Sequence, residues 1–375
     1  MTARPIVLAA GGTGGHMFPA EALAGELIGR GFAVALVTDR RGQAFGDRLP
    51  QVALHRIRAG RIDAGIVGKV TAIAEIALGT FEAGRLLRAL APAAAVGFGG
   101  YPSVPTMLAA TRQGLPTLLH EQNAILGRAN RLLAPRVGTI ATSFPSVGAL
   151  RAGHRARIVE TGNPVRPAVV AHRATPYAAP GDGRIALLVI GGSQGARVLS
   201  AVVPAALARL EPALRRRLVV MQQARPEDLA AVRSAYQESG IEAETATFFE
   251  DVPARLARAH LVIARAGAST VAELTTVGRP SVLVPYRYAA DDHQSANAAA
   301  LQEAAAAWVM AEAVFTAEAL AARIAALVAT PDTLVAAAVA AHRLGRPDAA
   351  RRLADLVVAA AGGNGAARPV QEDAA

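Results

Sequence analysis

The same short pattern opens each half of this chain: a buried strand, a glycine-rich turn and then a helix. In the first half the apolar run Ile6–Ala10 leads into Gly11–Gly15, and in the second half Ile185–Ile190 leads into Gly191–Gly195. A short apolar run that ends in glycines is typical of a strand buried on both faces of a parallel sheet. The repeated opening therefore predicts two α/β domains of similar plan.

Further apolar runs alternate with helical patterns along both halves, as expected for βαβ units. The additional strands are predicted at Phe32–Thr38, Ala93–Gly97, Pro116–His120, Gly138–Thr142, Leu218–Gln222, Leu261–Ala264 and Ser281–Pro285. Helices are predicted at Glu21–Arg30, from Arg197, and at Thr270–Val277, His293–Ala306, Thr316–Ala329 and Ala349–Ala361. The pattern favours two doubly wound domains.

Prolines and glycines indicate where the two domains are joined. The stretch Asn163–Pro167 holds two prolines, and Pro176–Gly183 is rich in Pro, Gly and Ala, so we place the linker there. The predicted domains are residues 1–164 and 165–345, with a C-terminal helix at about 346–361 packing back on the first domain. Residues 362–375 are expected to form a disordered tail.

Composition narrows the function classes. The 375 residues include no cysteine, which excludes disulfide frameworks, thiolate nucleophiles and Cys-ligated zinc. Residues 1–166 carry 19 basic and 9 acidic side chains, whereas the remainder carries 20 of each. A basic first half suits nucleic acid, an anionic membrane surface or phosphate-bearing ligands. The longest uncharged run, Ala89–Thr111, is interrupted by prolines and glycines, so any membrane contact should be peripheral.

Two glycine turns in the first half predict an anion pocket. In Gly11–Gly15, backbone N–H groups at a helix N-terminus can approach a phosphate or diphosphate. Gly97–Ser103 follows another strand, so both turns should meet at the carboxyl edge of the sheet. His16 beside the first turn suits a general base or a simple hydrogen-bond partner. The segment His120–Asn123 adds ionisable and amide groups to the same edge.

Several familiar motifs fail on spacing. A dinucleotide fingerprint needs glycine where Met17 or Thr13 stands, and no G-K-[ST] is present for a P-loop. His120–Asn123 lacks the second histidine of a zinc helix. Asp291–His293 has metal-binding side chains, but a solvated loop before a helix is the favoured interpretation.

A turn in the second half combines hydroxyls with a carboxylate. Ala264–Thr270 leads from a strand into a helix that bears Glu273 in its first turns. Ser269 and Thr270 suit a helix cap or phosphate binding. Glu273 suits either of two roles equally well: a capping box, or binding of the two vicinal hydroxyls of a ribose.

In combination these segments are far more specific than any one of them. Their order along the chain is Gly11–Ala20 (GGTGGHMFPA), Gly97–Ser103 (GFGGYPS), His120–Asn123 (HEQN), Gly162–Arg166 (GNPVR), Gly191–Ala196 (GGSQGA) and Ala266–Glu273 (AGASTVAE). The set closely resembles the family of bacterial peptidoglycan glycosyltransferases, over about residues 4–360. The resemblance implies two Rossmann-like domains facing across a cleft, the GT-B architecture, and no cofactor or required metal.

The resemblance also implies a reaction. N-acetylglucosamine would move from UDP-N-acetylglucosamine to the 4-hydroxyl of undecaprenyl-diphosphate-linked N-acetylmuramoyl-pentapeptide, with inversion at the anomeric carbon. Two alternatives stay open: another UDP-sugar-dependent transferase acting on a glycolipid or small molecule, and a non-catalytic nucleotide-binding protein. The scarcity of aromatics, 4% of the chain, speaks against a nucleic-acid surface.

Site residues follow from the resemblance, position by position. For the donor it implies Thr13, Gly14, Gly15, Asn123, Arg166, Ser193, Phe249, Ala268, Ser269, Thr270, Val271, Ala272, Glu273, Gln294 and Asn297. For the acceptor it implies Gly12, His16, Gly99, Gly100 and Tyr101. His16 is the first candidate for the base and Glu121 the second, and the resemblance does not decide between them. The chain departs from the family at His293, usually Gln, and at Phe249, often Ile.

Basic and apolar residues in the first half predict a membrane-facing surface. The basic residues are Arg56, Arg58, Arg61, Lys69, Arg85 and Arg88, and the apolar residues are Ile66, Val67, Val70, Ile73, Ile76, Leu78 and Phe81. Some of the apolar residues must instead belong to a helix core. The expected location is peripheral, on the cytoplasmic face of the inner membrane. The expected partners are both substrates, that anionic surface and other cell-wall and division proteins, with no nucleic acid.

Overall fold

The computed structural model describes residues 4–11, 14–39, 50–60, 66–192 and 195–362. The chain divides into two compact units. The first comprises Met1–Arg166 with Asp348–Ala375, and the second comprises Pro167–Pro347. The change of unit after Arg166 falls inside the proline-containing stretch Asn163–Pro167, whereas Pro176–Gly183 lies within the second unit.

The first unit is built on a parallel sheet of seven strands in the order β3-β2-β1-β4-β5-β6-β7. The strands are β1 (Ile6–Ala9), β2 (Val34–Thr38), β3 (Ala53–Arg56), β4 (Ala94–Gly97), β5 (Thr117–Glu121), β6 (Thr139–Thr142) and β7 (Ile158–Glu160). Its helices before the domain boundary are α1 (Gly14–Gly29), α2 (Ile66–Leu90), α3 (Ser103–Arg112) and α4 (Arg128–Leu133). The central strands β1, β2 and β4 are buried along their whole length, as their continuous apolar runs predict.

The second unit repeats this plan with six parallel strands in the order β10-β9-β8-β11-β12-β13. The strands are β8 (Ile185–Ile190), β9 (Leu218–Gln223), β10 (Glu242–Ala246), β11 (Leu261–Ala264), β12 (Ser281–Leu283) and β13 (Ala307–Val309). The helices are α5 (Pro167–Val170), α6 (Arg197–Ala208), α7 (Pro212–Arg215), α8 (Leu229–Glu238), α9 (Val252–Arg258), α10 (Ala268–Val277), α11 (His293–Glu303), α12 (Ala317–Ala329) and α13 (Pro331–Leu344). The two predicted α/β domains with parallel sheets are therefore confirmed.

The four strands that the sequence pattern missed are all edge strands. β3 and β7 end the first sheet, and β10 and β13 end the second. An edge strand is covered less completely than a central one, so it does not need a continuous apolar run. β10 reads Glu-Ala-Glu-Thr-Ala and is half-exposed, which hides it from a hydrophobicity pattern.

The last helix of the chain, α14 (Ala349–Gly362), belongs to the first unit. Leu353, Ala354, Val357 and Ala361 lie on one face and are buried in the core that also contains β1 and α1. The Arg30 guanidinium, directly after the end of α1, binds Asp355 at 2.7 Å. The helix extends to Gly362, one residue into the predicted tail, and residues 363–375 lie outside the described residues.

A buried arginine stabilises the second unit around α10. Arg279 is 1% exposed and donates to the carbonyls of Leu256, Ala257, Val277 and Gly278. These carbonyls come from the C-terminal ends of α9 and α10, where the helix macrodipole favours a cation. Burial lowers the pKa of Arg279, and the many carbonyl acceptors compensate the buried charge.

In both sheets the chain reverses its direction of winding between two central strands. β1 and β4 are neighbours in the first sheet, and β8 and β11 are neighbours in the second. The loops that leave the carboxyl ends of such a pair run to opposite sides and open a crevice, where ligands bind in this class of fold.

No single helix of the described residues is both long and apolar enough to cross a membrane. One bent pair, residues 317–329 with 331–362, reaches that length and hydropathy together, with a bend of 94°.

Candidate active site

Two glycine turns contact each other at the reversal point of the first sheet. Gly11 follows β1, and Gly99 and Gly100 follow β4 with φ angles of 85° and 73°. A Cβ atom on Gly11 would lie 2.6 Å from Pro102, and one on Gly100 would lie 2.8 Å from the Gly11 carbonyl oxygen. Only glycine fits both the left-handed backbone and this close approach. Gly12 and Thr13 of the first turn lie outside the described residues.

His16 is held beside these turns by the first turn of α1. Its half-buried ring lies so close to the second turn that a Cβ on Gly99 or Gly100 would be 3.3 Å from it. The Nδ1 atom is 3.1 Å from the Oε1 atom of Gln122, which follows β5. Neighbouring strands β1, β4 and β5 therefore each contribute one loop to the surroundings of His16.

Glu121, the second candidate for the base, accepts hydrogen bonds from residues of its own loop. The side chain is 1% exposed. One carboxylate oxygen accepts from the backbone and side-chain N–H of Asn123 at 3.0 and 3.2 Å, and the other accepts from Gly127 N and Asn130 Nδ2, both at 2.8 Å. Four donors that bind one buried carboxylate fix the conformation of residues 121–130. These contacts suit a residue that organises the loop and holds Asn123.

The sequence reasoning did not single out His120 or Gln122 within His120–Asn123. His120 is fully buried and its Nε2 is 3.0 Å from the Gly162 carbonyl oxygen. Burial lowers the pKa of His120 to about 4, and the charge of His16 acts in the same direction. The Gln122 side-chain nitrogen donates to the carbonyl oxygen of Phe98 at 2.9 Å. The period of two along a strand places His120 and Gln122 on one face, which is the signal that could have paired them.

The remaining predicted residues of the first unit lie around the same turns. Gly14 begins α1, and a Cβ there would be 3.0 Å from the Phe18 ring. Gly15 is the next residue of that helix. The Arg166 guanidinium lies 4.9 Å from the centroid of the Phe18 ring, so it too belongs to the surroundings of α1. Tyr101 is half-buried in the turn before α3.

A tight glycine loop also follows β8 in the second unit. A Cβ on Gly191 would lie 2.5 Å from the Ala196 nitrogen, and one on Gly195 would lie 2.5 Å from Arg225. Gly195 has a φ of 68°, so the loop needs glycine for space and for backbone conformation. Ser193, at the centre of this loop, lies outside the described residues.

Helix α10, which follows the loop after β11, begins before Ser269 and Thr270, so neither of them is its N-cap. The helix begins at Ala268, and its N-cap is Gly267, which has no side chain to bind the first N–H groups. Ser269 and Thr270 are therefore helical residues, and the capping-box interpretation of Glu273 is wrong. Among the described residues the buried Ser269 hydroxyl has no hydrogen-bond partner. Val271, Ala272 and Glu273 continue the first turns of the helix.

Three other residues predicted for the donor stabilise loops of the second unit. Asn297 is fully buried and donates to the Ala266 carbonyl at 3.0 Å, which fixes the entrance to α10. Gln294 accepts from the backbone N–H of Tyr286 at 3.0 Å. Phe249 is 5% exposed, and Arg255 lies 4.0 Å above its ring.

The acidic segment before α11 forms a helix entrance. Asp291 and Asp292 both have a φ of 53°, and Asp292 accepts from the Ser295 hydroxyl at 2.7 Å. His293 Nδ1 is 2.8 Å from the Ala290 carbonyl oxygen. Across the described ranges, no three acidic or histidine side chains are grouped so as to hold a metal ion.

Three of the apolar residues that the sequence analysis assigns to a membrane-facing surface are exposed on α2. Ile73, Leu78 and Phe81 are 68%, 48% and 63% exposed, which is unusual for side chains of this size. Ile76 packs against the core instead, so it is one of the apolar residues that belong to the helix core and not to the surface. The exposed basic side chains nearby in sequence are Arg56, Arg58, Arg85 and Arg88, of which Arg58 pairs with Glu82. Arg61 and the side chains of Ile66, Val67, Lys69 and Val70 lie outside the described part of the chain.

Two doubly wound parallel α/β units, each with a crevice at its strand reversal, give the fold class of this chain, and comparison with known proteins identifies the family. The model of the glycosyltransferase family 28 N-terminal domain matches residues 6–142, and that of its C-terminal domain matches residues 186–353. The chain belongs to glycosyltransferase family 28.

Two relatives and one solved structure are similar to this chain over nearly its whole length. The UDP-N-acetylglucosamine--N-acetylmuramyl-(pentapeptide) pyrophosphoryl-undecaprenol N-acetylglucosamine transferase of Rhodospirillum centenum is 57% identical, over 98% of this chain and 98% of the relative. The transferase of the same name from Paramagnetospirillum magneticum is 56% identical, over 95% and 97%. The crystal structure of MurG from Acinetobacter baumannii aligns with a TM-score of 0.76 and 30% identity, covering 95% of this chain and 99% of that one.

The buried His120 predicts an acid-sensitive first unit. Its pKa lies below the ordinary value of 6.5, so the unfolded chain takes up the proton first as the pH falls. We expect no penalty above pH 6.5 and a progressive loss of stability down to pH 4, amounting to about 3 kcal/mol. The effect is measured as the free energy of unfolding in urea at each pH, with hydrogen exchange in β5 as the readout for the first unit. His120→Gln, which keeps an N–H donor for Gly162, should remove this part of the slope, and an unchanged slope would contradict the assignment.

The contact between the glycine turns predicts a matched pair of alanine variants. Gly100→Ala introduces a Cβ at 2.8 Å from the Gly11 carbonyl and next to His16, so kcat/KM should fall roughly 100-fold through misplacement of the site. Gly25→Ala on α1 meets nothing within 4 Å and should leave activity unchanged while stabilising the helix by about 0.5–1 kcal/mol. Steady-state kinetics and thermal melts of both variants test this, and equal activities would refute it.

Proposed function

We propose that this chain transfers N-acetylglucosamine from UDP-N-acetylglucosamine to the 4-hydroxyl of undecaprenyl-diphosphate-linked N-acetylmuramoyl-pentapeptide in peptidoglycan synthesis. The observation that carries the proposal is the 57% identity to a transferase of that name over 98% of both chains. The match spans both units, so the glycine turns around His16 and the second-unit loops lie within the aligned length. A shared fold alone would not specify the acceptor.

In the second unit, the donor diphosphate is proposed to bind the N-terminus of α10. Gly267 leaves the first backbone N–H groups of this helix uncovered by a cap, and the helix macrodipole favours an anion there. Ser269 and Thr270 add hydroxyls, Ser193 belongs to the glycine loop after β8, and Glu273 binds the ribose hydroxyls. Gln294 and Asn297 are proposed for the sugar, and the backbone at Phe249 for uracil.

In the first unit, the acceptor diphosphate is proposed to bind the paired glycine turns, at Gly12, Gly99, Gly100 and Tyr101. Neighbouring first-unit residues proposed to contact the donor are Thr13, Gly14, Gly15, Asn123 and Arg166. Backbone N–H groups in turns of this kind make small concave sites for anions. His16 lies against the same turns, so a sugar hydroxyl placed by the lipid diphosphate would meet its ring.

The proposed chemistry needs a base and a stabilised leaving group. His16 removes the proton of the acceptor hydroxyl while its oxygen attacks the anomeric carbon, and the bond to the donor phosphate breaks with inversion. The negative charge that develops on UDP is stabilised by fixed backbone N–H groups and the α10 N-terminus. His16 is preferred to Glu121 because all four hydrogen bonds of that carboxylate serve its own loop. The donor diphosphate is proposed to need no metal.

We also propose that the protein docks peripherally on the cytoplasmic face of the inner membrane through α2. Ile73, Leu78 and Phe81 are exposed, and Arg85 and Arg88 on the same helix are exposed cations. Apolar side chains that insert between headgroups, with basic residues around them, favour an anionic leaflet. The lipid-linked acceptor would give such docking a purpose.

The transfer assay tests the proposed function directly. The full-length protein is mixed with radiolabelled UDP-N-acetylglucosamine and a short-chain analogue of the muramoyl lipid, with and without EDTA. We expect transfer in both conditions, and none with UDP-N-acetylgalactosamine or a diacylglycerol acceptor. Binding of the donor without transfer to the muramoyl lipid would refute the acceptor assignment, and loss of activity in EDTA would refute metal independence.

In the same assay, His16→Gln should lower kcat by roughly 100-fold or more, with a small change in KM.

The docking surface predicts a pair of charge variants. Ile73→Glu and Phe81→Glu should each weaken sedimentation with phosphatidylglycerol–phosphatidylethanolamine vesicles at least about tenfold, because an exposed apolar side chain that would insert into the membrane is replaced by an anion. Val339→Glu places the same charge at a 45% exposed valine of α13 in the second unit and should sediment like the wild type. Equal binding by all variants, or no wild-type binding at low salt, would refute docking through α2.

A further inference from the structure

A chain of hydrogen bonds leads from a backbone carbonyl to His16 through two buried side chains. We propose that Gln122, itself oriented by His120, is a positioning residue that holds His16 in the tautomer with hydrogen on Nδ1, so that Nε2 is the nitrogen able to accept a proton. The inference deepens the proposed function, since it rests on His16 as the base. Each step follows from which atoms can only accept a hydrogen bond.

The first step fixes the tautomer of His120. Its Nε2 lies 3.0 Å from the carbonyl oxygen of Gly162, and a carbonyl oxygen only accepts. Nε2 therefore carries a hydrogen. The ring is completely buried and its lowered pKa keeps it neutral near pH 7, so Nδ1 carries none and is an acceptor.

The second step fixes the orientation of the Gln122 amide. One end of this amide faces three acceptors: the Phe98 carbonyl at 2.9 Å, the His120 Nδ1 at 3.1 Å and the His120 carbonyl at 3.1 Å. Only the NH₂ group can donate to them, sharing its two hydrogens among the three acceptors, because a rotated amide would place an oxygen against three electron pairs. The amide oxygen must therefore be the end that faces His16. With 1% exposure, Gln122 has no water-facing alternative.

The third step transfers this constraint to His16. Its Nδ1 is 3.1 Å from the Gln122 amide oxygen, which only accepts, so Nδ1 carries the hydrogen. In the neutral ring the lone pair is then on Nε2. The two carbons bonded to Nε2, Cε1 and Cδ2, are the ring atoms nearest to Gly99 and Gly100. The basic nitrogen is thus on the edge of the ring that borders the proposed site of the acceptor diphosphate.

The tautomer matters because the proton must move to a nitrogen that faces the acceptor. In the proposed step the O–H bond of the sugar hydroxyl breaks, and its proton goes to His16 Nε2. The oxygen forms its bond to the anomeric carbon, and the electron pair of the broken C–O bond leaves with UDP. The resulting imidazolium keeps its hydrogen bond from Nδ1 to Gln122. With hydrogen on Nε2 instead, the ring could not accept that proton at this edge.

The experiment reads the tautomer directly. The full-length protein is labelled with ¹⁵N-histidine, and long-range ¹H–¹⁵N spectra distinguish the two neutral tautomers of each of its 8 histidines. His16 is assigned by the signal that disappears in His16→Gln. The variant is Gln122→Met, which keeps the length of the side chain and removes its oxygen. The matched control is Gln113→Met, which removes a 2.8 Å hydrogen bond from a half-buried glutamine to the Gly84 carbonyl in the same unit.

We expect hydrogen on Nδ1 of His16 in the wild type and in Gln113→Met, and a mixture of tautomers or the Nε2–H form in Gln122→Met. In that variant kcat should fall roughly 10- to 100-fold, within the range of a misplaced general base, with little change in KM for UDP-N-acetylglucosamine. The control should keep the wild-type kcat. A merely structural glutamine would change stability in both variants without changing the His16 signal.

Two results would overturn the inference. One is hydrogen on Nε2 of His16 in the wild-type protein, which requires no variant to fold. The other is an unchanged Nδ1–H signal in Gln122→Met, because another group would then set the tautomer. Failure of the proposed base is read separately, since a fully active His16→Gln would refute the role of His16 whatever its tautomer.

Discussion

The parallel sheet of the first unit imposes the constraint on which the rest of the site depends. Because β4 returns beside β1 rather than continuing beside β3, the carboxyl ends of β1, β4 and β5 are neighbours and their loops must share one crevice. The two glycine turns can occupy it together only because neither has a side chain at the contact between Gly11 and Gly100. His16 is then the first large side chain of α1 to reach this space.

A buried polar network gives this crevice its order, and each member needs its partners. A buried polar group without a hydrogen bond costs about 1–3 kcal/mol, whereas a satisfied one contributes about 0.5–1.5 kcal/mol, so the loss of one partner destabilises such a network. Glu121 meets four donors, and the Gln122 amide nitrogen meets three acceptors. The adjacent residues of one tetrapeptide thus have separate tasks: Glu121 orders the loop that carries Asn123, and Gln122 faces His16.

The second unit has the same kind of strand reversal, but its proposed anion site is the N-terminus of a helix. Its reversal point lies between β8 and β11, and both following loops lead into helices, α6 and α10. Gly267 caps α10 without a side chain, so the helix N-terminus stays available to an anion. Asn297 and Arg279 stabilise opposite ends of α10, through the Ala266 carbonyl and the carbonyls of Val277 and Gly278. The helix that carries the proposed diphosphate site is therefore held at both of its ends.

The sequence by itself determined the two α/β domains, because the central strands must be continuously apolar and the glycine turns have no substitute. It also placed His16 and the second glycine turn at one sheet edge, since parallel strands align their carboxyl ends. It did not determine the edge strands, whose partial exposure permits polar residues, or the start of α10, since Gly267 rather than a hydroxyl residue caps it. Only the tertiary structure decided that Glu121 accepts its hydrogen bonds from its own loop. It also decided that Gln122 contacts His16 and that His120 contacts Gln122. The contacts of Gln122 with His16 and of His120 with Gly162 join residues 106 and 42 positions apart in the sequence, so they leave no local pattern.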